Sequence, residues 1–90
     1  MEEKEERNLV FVIAASCKWG YGKSSLLASE MIMLKYPDSS INFEEISPEK
    51  EANFEIFLNN QKIFSQADGD GLLKQENLDV LVERIKKHLE

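Results

Sequence analysis

The sequence predicts an α/β fold: a two-layer β-α-β-β-β-α sandwich with a four-stranded mixed sheet. Three observations support this prediction. Residues 9–15 form an apolar run of strand length, the segment after them has helical spacing and ends at a proline, and residues 78–89 carry a second helical stripe. A strand, a crossover helix and a second strand form a right-handed parallel unit, and a hairpin then extends the sheet in the antiparallel direction.

The first strand, at residues 9–15, is Leu-Val-Phe-Val-Ile-Ala-Ala. A continuous apolar run of this kind suits a central strand that is covered on both faces. The following helix is predicted to begin near Ser24 or Ser25, either of which can cap it, and to stop at Pro37. Its apolar stripe is predicted to contain three residues: Leu27, Met31 and Leu34.

Alternating residues at 41–44 predict a strand with one face in water. Residues 54–58 and 62–65 read as two strands joined at Asn59-Asn60, because asparagine tolerates positive φ. Residues 68–71, Asp-Gly-Asp-Gly, form a turn. The last helix is predicted from five apolar residues on one face: Leu78, Leu81, Val82, Ile85 and Leu89.

The length of 90 residues fits a single domain at 9–90, preceded by a mobile charged arm at 1–8. Lysine and arginine number 11 against 17 acidic residues, a net charge of -6, which argues against nucleic-acid binding. No stretch approaches the length of a membrane-spanning helix. The single cysteine excludes an internal disulfide and zinc sites built on paired cysteines, and it favours a reducing, cytosol-like compartment.

Most of the chemically informative residues lie in the loop after the first strand. Cys17 precedes the predicted helix, whose N-terminal amides, together with Lys18 and Lys23, favour a thiolate that can act as a nucleophile. The alternative is an inert, buried cysteine. Two interpretations are open for Trp19 and Tyr21. They form an apolar wall around a bound thiol or peptide, or one or both of them pack on the helix.

A second interpretation of the same loop is nucleotide binding. Gly22-Lys23-Ser24 between a strand and a helix is typical of the end of a phosphate-binding P-loop. The complete motif needs a glycine five positions before Gly22, where this chain has Cys17. The chain also lacks a second apolar strand that ends in an aspartate for magnesium.

The order and spacing of several short segments resemble those of the selenoprotein W family, small thioredoxin-like proteins also grouped as the Rdx family. The resemblance runs from about Leu9 to Leu89 and rests on these segments: Cys17 after the strand, Gly20-Tyr21, Tyr36-Pro37, Ser47-Pro48, Phe54-Glu55-Ile56, Lys62-Ile63-Phe64-Ser65 and Gly69-Asp70-Gly71. It implies a thioredoxin-like fold and a thiol or selenol redox role, with Cys17 as the catalytic residue and no bound cofactor. It also implies substrate or partner contacts from the flanking segments: Lys18, Trp19, Gly20, Tyr21, Ser47 and Pro48.

The family motif is Cys-x-x-Sec or Cys-x-x-Cys, and this chain departs from it. If Cys17 takes the first position, the second redox residue should stand between Trp19 and Gly20, where one residue is missing. In the other register Cys17 takes the second position and Ala14 replaces the first cysteine. The first register is preferred because it keeps Gly20-Tyr21. A selenocysteine left out of the written sequence would also explain the gap.

Two classes of function follow from these observations. In the first, Cys17 forms mixed disulfides with glutathione or with protein thiols. In the second, the chain is a redox-inactive interaction module that keeps the fold and binds a partner protein. The resemblance implies glutathione and 14-3-3 proteins as candidate partners.

Overall fold

The computed structural model describes residues 9–17 and 21–90. The predicted arm at 1–8 lies outside these residues, as do Lys18, Trp19 and Gly20. The described chain has four strands and two main helices: β1 (Val10–Ser16), α1 (Tyr21–Lys35), β2 (Ser40–Ile46), β3 (Phe54–Leu58), β4 (Gln61–Ser65) and α2 (Leu78–Leu89). The predicted β-α-β-β-β-α order is therefore confirmed.

The four strands form one mixed sheet in the order β2-β1-β3-β4. β1 pairs in parallel with β2, from Val10 opposite Ser40 to Ser16 opposite Ile46, and antiparallel with β3. The carboxyl ends of β1 and β2 therefore meet at the same end of the sheet as the start of β3. The loops after β1, β2 and β4 all lie at that end.

The core lies between one face of the sheet and the two helices. Phe11 and Ile13 of β1, Ile56 of β3 and Phe64 of β4 are almost completely buried against side chains from both helices. Val12, which points to the opposite face, is half-buried and lies outside this cluster. The expectation that β1 is covered on both faces holds only in part: both helices pack on one face, and on the other face Ala14 is buried but Val10 is 39% exposed.

Helix α1 begins at Tyr21, one turn earlier than predicted, so neither Ser24 nor Ser25 is its cap. Ser24 is buried and donates its hydroxyl to the Leu73 carbonyl oxygen (2.9 Å). The predicted apolar stripe is partly wrong, since Leu34 is 83% exposed. The helix instead buries a neighbouring face that includes small residues: Tyr21, Ser24, Ala28, Ser29, Met31 and Ile32.

The hairpin and the last helix follow the sequence prediction closely. Asn59 and Asn60 have φ of 50° and 72°, the left-handed values that a two-residue turn between twisted strands requires. Helix α2 buries Leu81 and Ile85, while the other members of the predicted stripe pack partly buried around them. The predicted turn at 68–71 lies in a π-helical turn that spans Gln66–Asp70, with Gly69 inside it and Gly71 directly after it, both at positive φ.

Candidate functional site

Cys17 directly follows the last residue of β1 and is exposed. β1 is an inner strand of the sheet, flanked by β2 and β3. The next described residue, Tyr21, begins α1. The thiol thus belongs to a short connection between an inner parallel strand and the amino terminus of the helix, as the sequence predicted.

The backbone before Cys17 is anchored by a pair of residues that the sequence analysis did not identify. Ser16 donates its backbone N–H to the Asn53 carbonyl oxygen (3.0 Å), and its hydroxyl accepts a hydrogen bond from the Asn53 N–H (2.8 Å). The Asn53 side-chain oxygen accepts the N–H of Ala67 (3.0 Å). Asn53 therefore ties the end of β1 to the start of β3 and to the turn after β4.

Tyr21 connects the start of α1 to the segment that follows β4. Its ring is 9% exposed and belongs to the core, and its hydroxyl donates to Gln66 Oε1 (3.0 Å). This placement agrees with the alternative in which the aromatic ring packs on the fold. The amino terminus of α1 is thereby fixed to the residue that follows β4.

Ser47 and Pro48 lie at the same end of the sheet as Cys17. Ser16 and Ile46 are paired in register, so Cys17 and Ser47 are the next residues on adjacent parallel strands. Pro48 is exposed, while the Ser47 hydroxyl accepts the N–H of Glu49 (3.3 Å) within the turn. The structure thus brings these three predicted site residues to the same end of the sheet.

The charges at the start of α1 favour an anion there. The first turn of the helix carries no acidic residue, and Lys23 lies exposed within it. The first backbone N–H groups of a helix have no carbonyl partner within the helix. Together these groups give the amino terminus of α1 a positive local field.

The same geometry argues against the P-loop interpretation. A P-loop serine presents its hydroxyl to a magnesium ion. Here the Ser24 hydroxyl is buried and is used by the Leu73 carbonyl oxygen. In the described parts of the chain, no group of three or more histidine, cysteine, aspartate or glutamate residues is placed to hold a metal ion.

Asn53, Ser16 and Gln66 carry no sequence signal that would have marked them as part of the site. Each is a common polar residue next to a strand end, and its role depends on contacts between residues 14 to 45 positions apart in the chain.

No helix among the described residues has the length and apolar character needed to cross a membrane.

Comparison with known proteins supports the fold assignment. No family profile and no curated protein matches the sequence. Among solved structures, a selenoprotein W-related protein from Vibrio cholerae is similar with a TM-score of 0.68 and 18% identity, covering 93% of this chain and 100% of that one. A protein from Bordetella parapertussis is similar with a TM-score of 0.65 and 18% identity, covering 91% of this chain and 99% of that one. The chain therefore has the thioredoxin-like fold of a selenoprotein W-related protein, as the sequence resemblance implied.

Proposed function

We propose that this chain is a selenoprotein W-like thiol-redox protein that acts through Cys17. One observation carries the proposal: the chain's single cysteine is exposed at the carboxyl end of an inner strand, ahead of a helix amino terminus, in a fold shared with a selenoprotein W-related protein. Helix amides stabilise a thiolate at a helix amino terminus, and Lys23 adds a positive charge in the first turn of α1. We therefore infer membership in the selenoprotein W family.

The proposed reaction is thiol–disulfide exchange. The Cys17 thiolate attacks the glutathione sulfur of a mixed disulfide between glutathione and a protein thiol, the S–S bond breaks, and the protein leaves as a thiolate. Cys17 and glutathione are then joined in a mixed disulfide. A second glutathione thiolate attacks the glutathione sulfur of this adduct, forms glutathione disulfide and regenerates the Cys17 thiolate, so the protein thiol is reduced at the expense of glutathione. Glutathione disulfide gives the same Cys17 adduct when it replaces the protein mixed disulfide in the first step.

The partners we propose are glutathione and protein thiols, with 14-3-3 proteins as the regulatory partner that the family resemblance suggests. A reducing, cytoplasmic location suits this chemistry because the thiol must be returned to the reduced state. We assign partner contacts to two groups of residues near Cys17. The first group directly follows it in the sequence: Lys18, Trp19 and Gly20. The second group lies at the same end of the sheet: Ser47 and Pro48.

The experiment measures the rate of Cys17 alkylation against pH, and the mass of the product after exposure to glutathione disulfide. We expect the alkylation rate to reach its plateau at a lower pH than for a cysteine in an unstructured peptide. One glutathione should be added per chain, and Cys17→Ser should take up none. An alkylation profile equal to that of the peptide, together with no glutathione adduct, would overturn the proposal.

The missing residue after Trp19 has its own test. In protein made from its natural gene, the tryptic peptide at residues 19–23 either has the mass of those residues or exceeds it by one selenocysteine residue. The larger mass would supply the second chalcogen of a Cys-x-x-Sec motif. The smaller mass would leave the protein with monothiol chemistry.

The second candidate function is a redox-inactive interaction module. It is favoured by the presence of one cysteine in the chain and by the large apolar side chains that α1 and β2 leave exposed, among them Leu34 and Phe43. This function predicts that Cys17→Ser retains full partner binding. The redox function predicts that the same variant no longer traps a partner as a mixed disulfide.

A further inference from the structure

The two edge strands of the sheet differ in how far they are protected against the addition of another strand. β4 forms one edge, and its pairing with β3 is interrupted by a bulge at Ile63. Arg84 of α2 donates a hydrogen bond to the Ile63 carbonyl oxygen (3.1 Å), and Asp70 accepts the Ser65 N–H (2.9 Å). Bulges and side chains that occupy edge hydrogen-bonding groups are ordinary protection against the addition of another strand.

β2 forms the other edge; within residues 9–17 and 21–90 it has no bulge, and no side chain bonds to its outward backbone groups. It pairs with β1 over seven residues in a continuous register without a bulge. It contains no proline or lysine. The part of the chain that the structure describes supplies no strand on its outer side.

The register shows which backbone groups of β2 point outward. Ser40 donates its N–H to the Leu9 carbonyl oxygen (2.9 Å), and in a parallel pair alternate residues of a strand bond to the same neighbour. The N–H and C=O groups of Ile41, Phe43 and Glu45 therefore point away from β1. They form a row of donors and acceptors that an incoming strand can use.

The side chains of β2 indicate which residues a strand paired with this edge would need. Phe43 is 61% exposed at the middle of β2, so an apolar residue opposite it would gain burial. Glu44 and Glu45 follow it, both exposed and without an ion-pair partner among the described residues. The adjacent Ser47–Glu51 segment adds further exposed acids.

We propose that the β2 edge, defined as residues 40–46, is a strand-addition site for an extended basic segment of a partner protein. Backbone hydrogen bonds at Ile41, Phe43 and Glu45 would provide the pairing, and lysine or arginine opposite Glu44 and Glu45 would select the partner. A second copy of this chain is disfavoured as the occupant. Antiparallel self-pairing about Phe43 would gather four carboxylates of two chains that each carry a charge of -6.

The test uses a blocked synthetic peptide, Val-Thr-Val-Lys-Lys-Val, with a fluorophore, and the protein in its Cys17→Ser form. This variant lacks the thiol on which the proposed redox function depends, so the peptide-binding result does not depend on whether that function is correct. Binding is measured by fluorescence anisotropy and mapped by amide chemical shifts. We expect the largest shifts at Ile41, Phe43 and Glu45, and weaker binding as salt rises from about 50 to about 500 mM.

Matched controls separate the edge from the overall charge of the protein. Glu44→Gln with Glu45→Gln should weaken binding about fivefold, as expected for two exposed ion pairs. Asp79→Asn with Glu83→Gln removes the same charge from exposed positions on α2 and should leave affinity nearly unchanged. A peptide with alternate residues N-methylated, or with glutamates in place of the lysines, should not bind.

Four results would overturn the proposal. The first is no shift at about 1 mM peptide, a concentration that detects even weak complexes. The second is equal loss of affinity in the β2 and α2 double variants. The third is a set of shifts centred on β4 instead of β2. The fourth is concentration-dependent dimerisation of the protein that competes with the peptide, which would assign the edge to a second copy.

Discussion

At the scale of single residues, the best-defined polar contact is the ion pair between Asp70 and Arg84. Both terminal nitrogens of the Arg84 guanidinium, Nη1 and Nη2, donate to the carboxylate, at 2.8 and 2.9 Å, and the Asp70 carboxylate also accepts the Ser65 N–H. The Arg84 guanidinium also lies over the Phe64 ring, 5.7 Å from its centre. A bidentate pair with these further contacts holds α2 and the turn after β4 against the edge of the sheet.

Replacing Asp70 with asparagine should therefore destabilise the protein by about 1–3 kcal/mol, because a charge-assisted hydrogen-bond network is lost at a largely buried side chain. Urea unfolding followed by circular dichroism measures the change. Asp68→Asn is the matched control. Asp68 is 59% exposed and pairs with an exposed lysine, Lys62, so its loss should have a much smaller effect. Equal destabilisation by the two variants would contradict this assignment.

The same pair predicts how stability depends on pH. The hydrogen bonds from Arg84 hold the pKa of Asp70 below its ordinary value of 3.8. Between the lowered pKa and 3.8 the unfolded chain binds more protons than the folded one, so acid favours unfolding. The stability that Asp70 contributes is full above pH 3.8 and is lost as the pH falls through the lowered pKa.

Unfolding free energies of the wild type and of Asp70→Asn should therefore converge on acidification. The difference between them is measured from neutral pH down to about pH 2.5, in the acid range where carboxylates titrate. A difference between wild type and Asp70→Asn that stays constant below pH 3.8 would show that the carboxylate charge does not stabilise the fold.

Single residues also show where sequence reasoning succeeded at the site. Cys17 was placed correctly at the end of the first strand, because a lone thiol next to a strand–helix junction is visible in the sequence. Asn53 and Gln66 were missed, because their hydrogen bonds to Ser16 and Tyr21 appear only when distant segments meet.

At the scale of elements, the β3–β4 hairpin shows the closest agreement between local sequence and structure. Asn59 and Asn60 occupy the two turn positions with positive φ, and the Asn59 side chain accepts the Val10 N–H (2.9 Å). Asn60 makes no such contact and is exposed. The first position thus has a specific side-chain role, while the second needs only a residue that tolerates the left-handed region.

Asn60→Gly should consequently stabilise the protein by about 0.5 kcal/mol, because Asn-Gly is the preferred pair in this turn. Asn60→Ala should destabilise it by about 1 kcal/mol, since a β-carbon without a compensating polar group is strained at φ of 72°. Thermal unfolding of the two variants, compared under one set of conditions, measures both changes. If alanine and glycine give the same stability, backbone strain at Asn60 does not contribute.

Helix α1 illustrates where a periodic pattern misleads. The prediction followed the largest apolar residues and therefore chose Leu34, which is exposed. The buried face includes Ala28, Ile32 and two serines, Ser24 and Ser29, so small and polar residues occupy positions that a count of large apolar residues misses. Ser24 tolerates burial because its hydroxyl has the Leu73 carbonyl oxygen as acceptor, a contact 49 residues away in the chain.

At the scale of the whole molecule, the packing is uneven across the sheet. β1, β3 and β4 contribute almost fully buried side chains to the core, whereas β2 has no buried residue at any of its seven positions. Because burial of apolar area is the main source of stability, β2 should be held chiefly by its hydrogen bonds to β1. Connection rules applied to the sequence predicted a parallel strand pair extended by an antiparallel hairpin, but they could not predict this unequal burial.

Amide hydrogen exchange along β1 tests this difference within a single strand. The hydrogen bond from the Ser16 N–H to Asn53 shows that even-numbered residues of β1 bond to β3, so Val12 and Ala14 face β3 and Phe11 and Ile13 face β2. If β2 opens before the rest of the fold, Phe11 and Ile13 should exchange at least about tenfold faster than Val12 and Ala14. Equal protection of all four amides would mean that the sheet opens as one unit, and that hydrogen bonding to β1 holds β2 as firmly as the buried core holds β3.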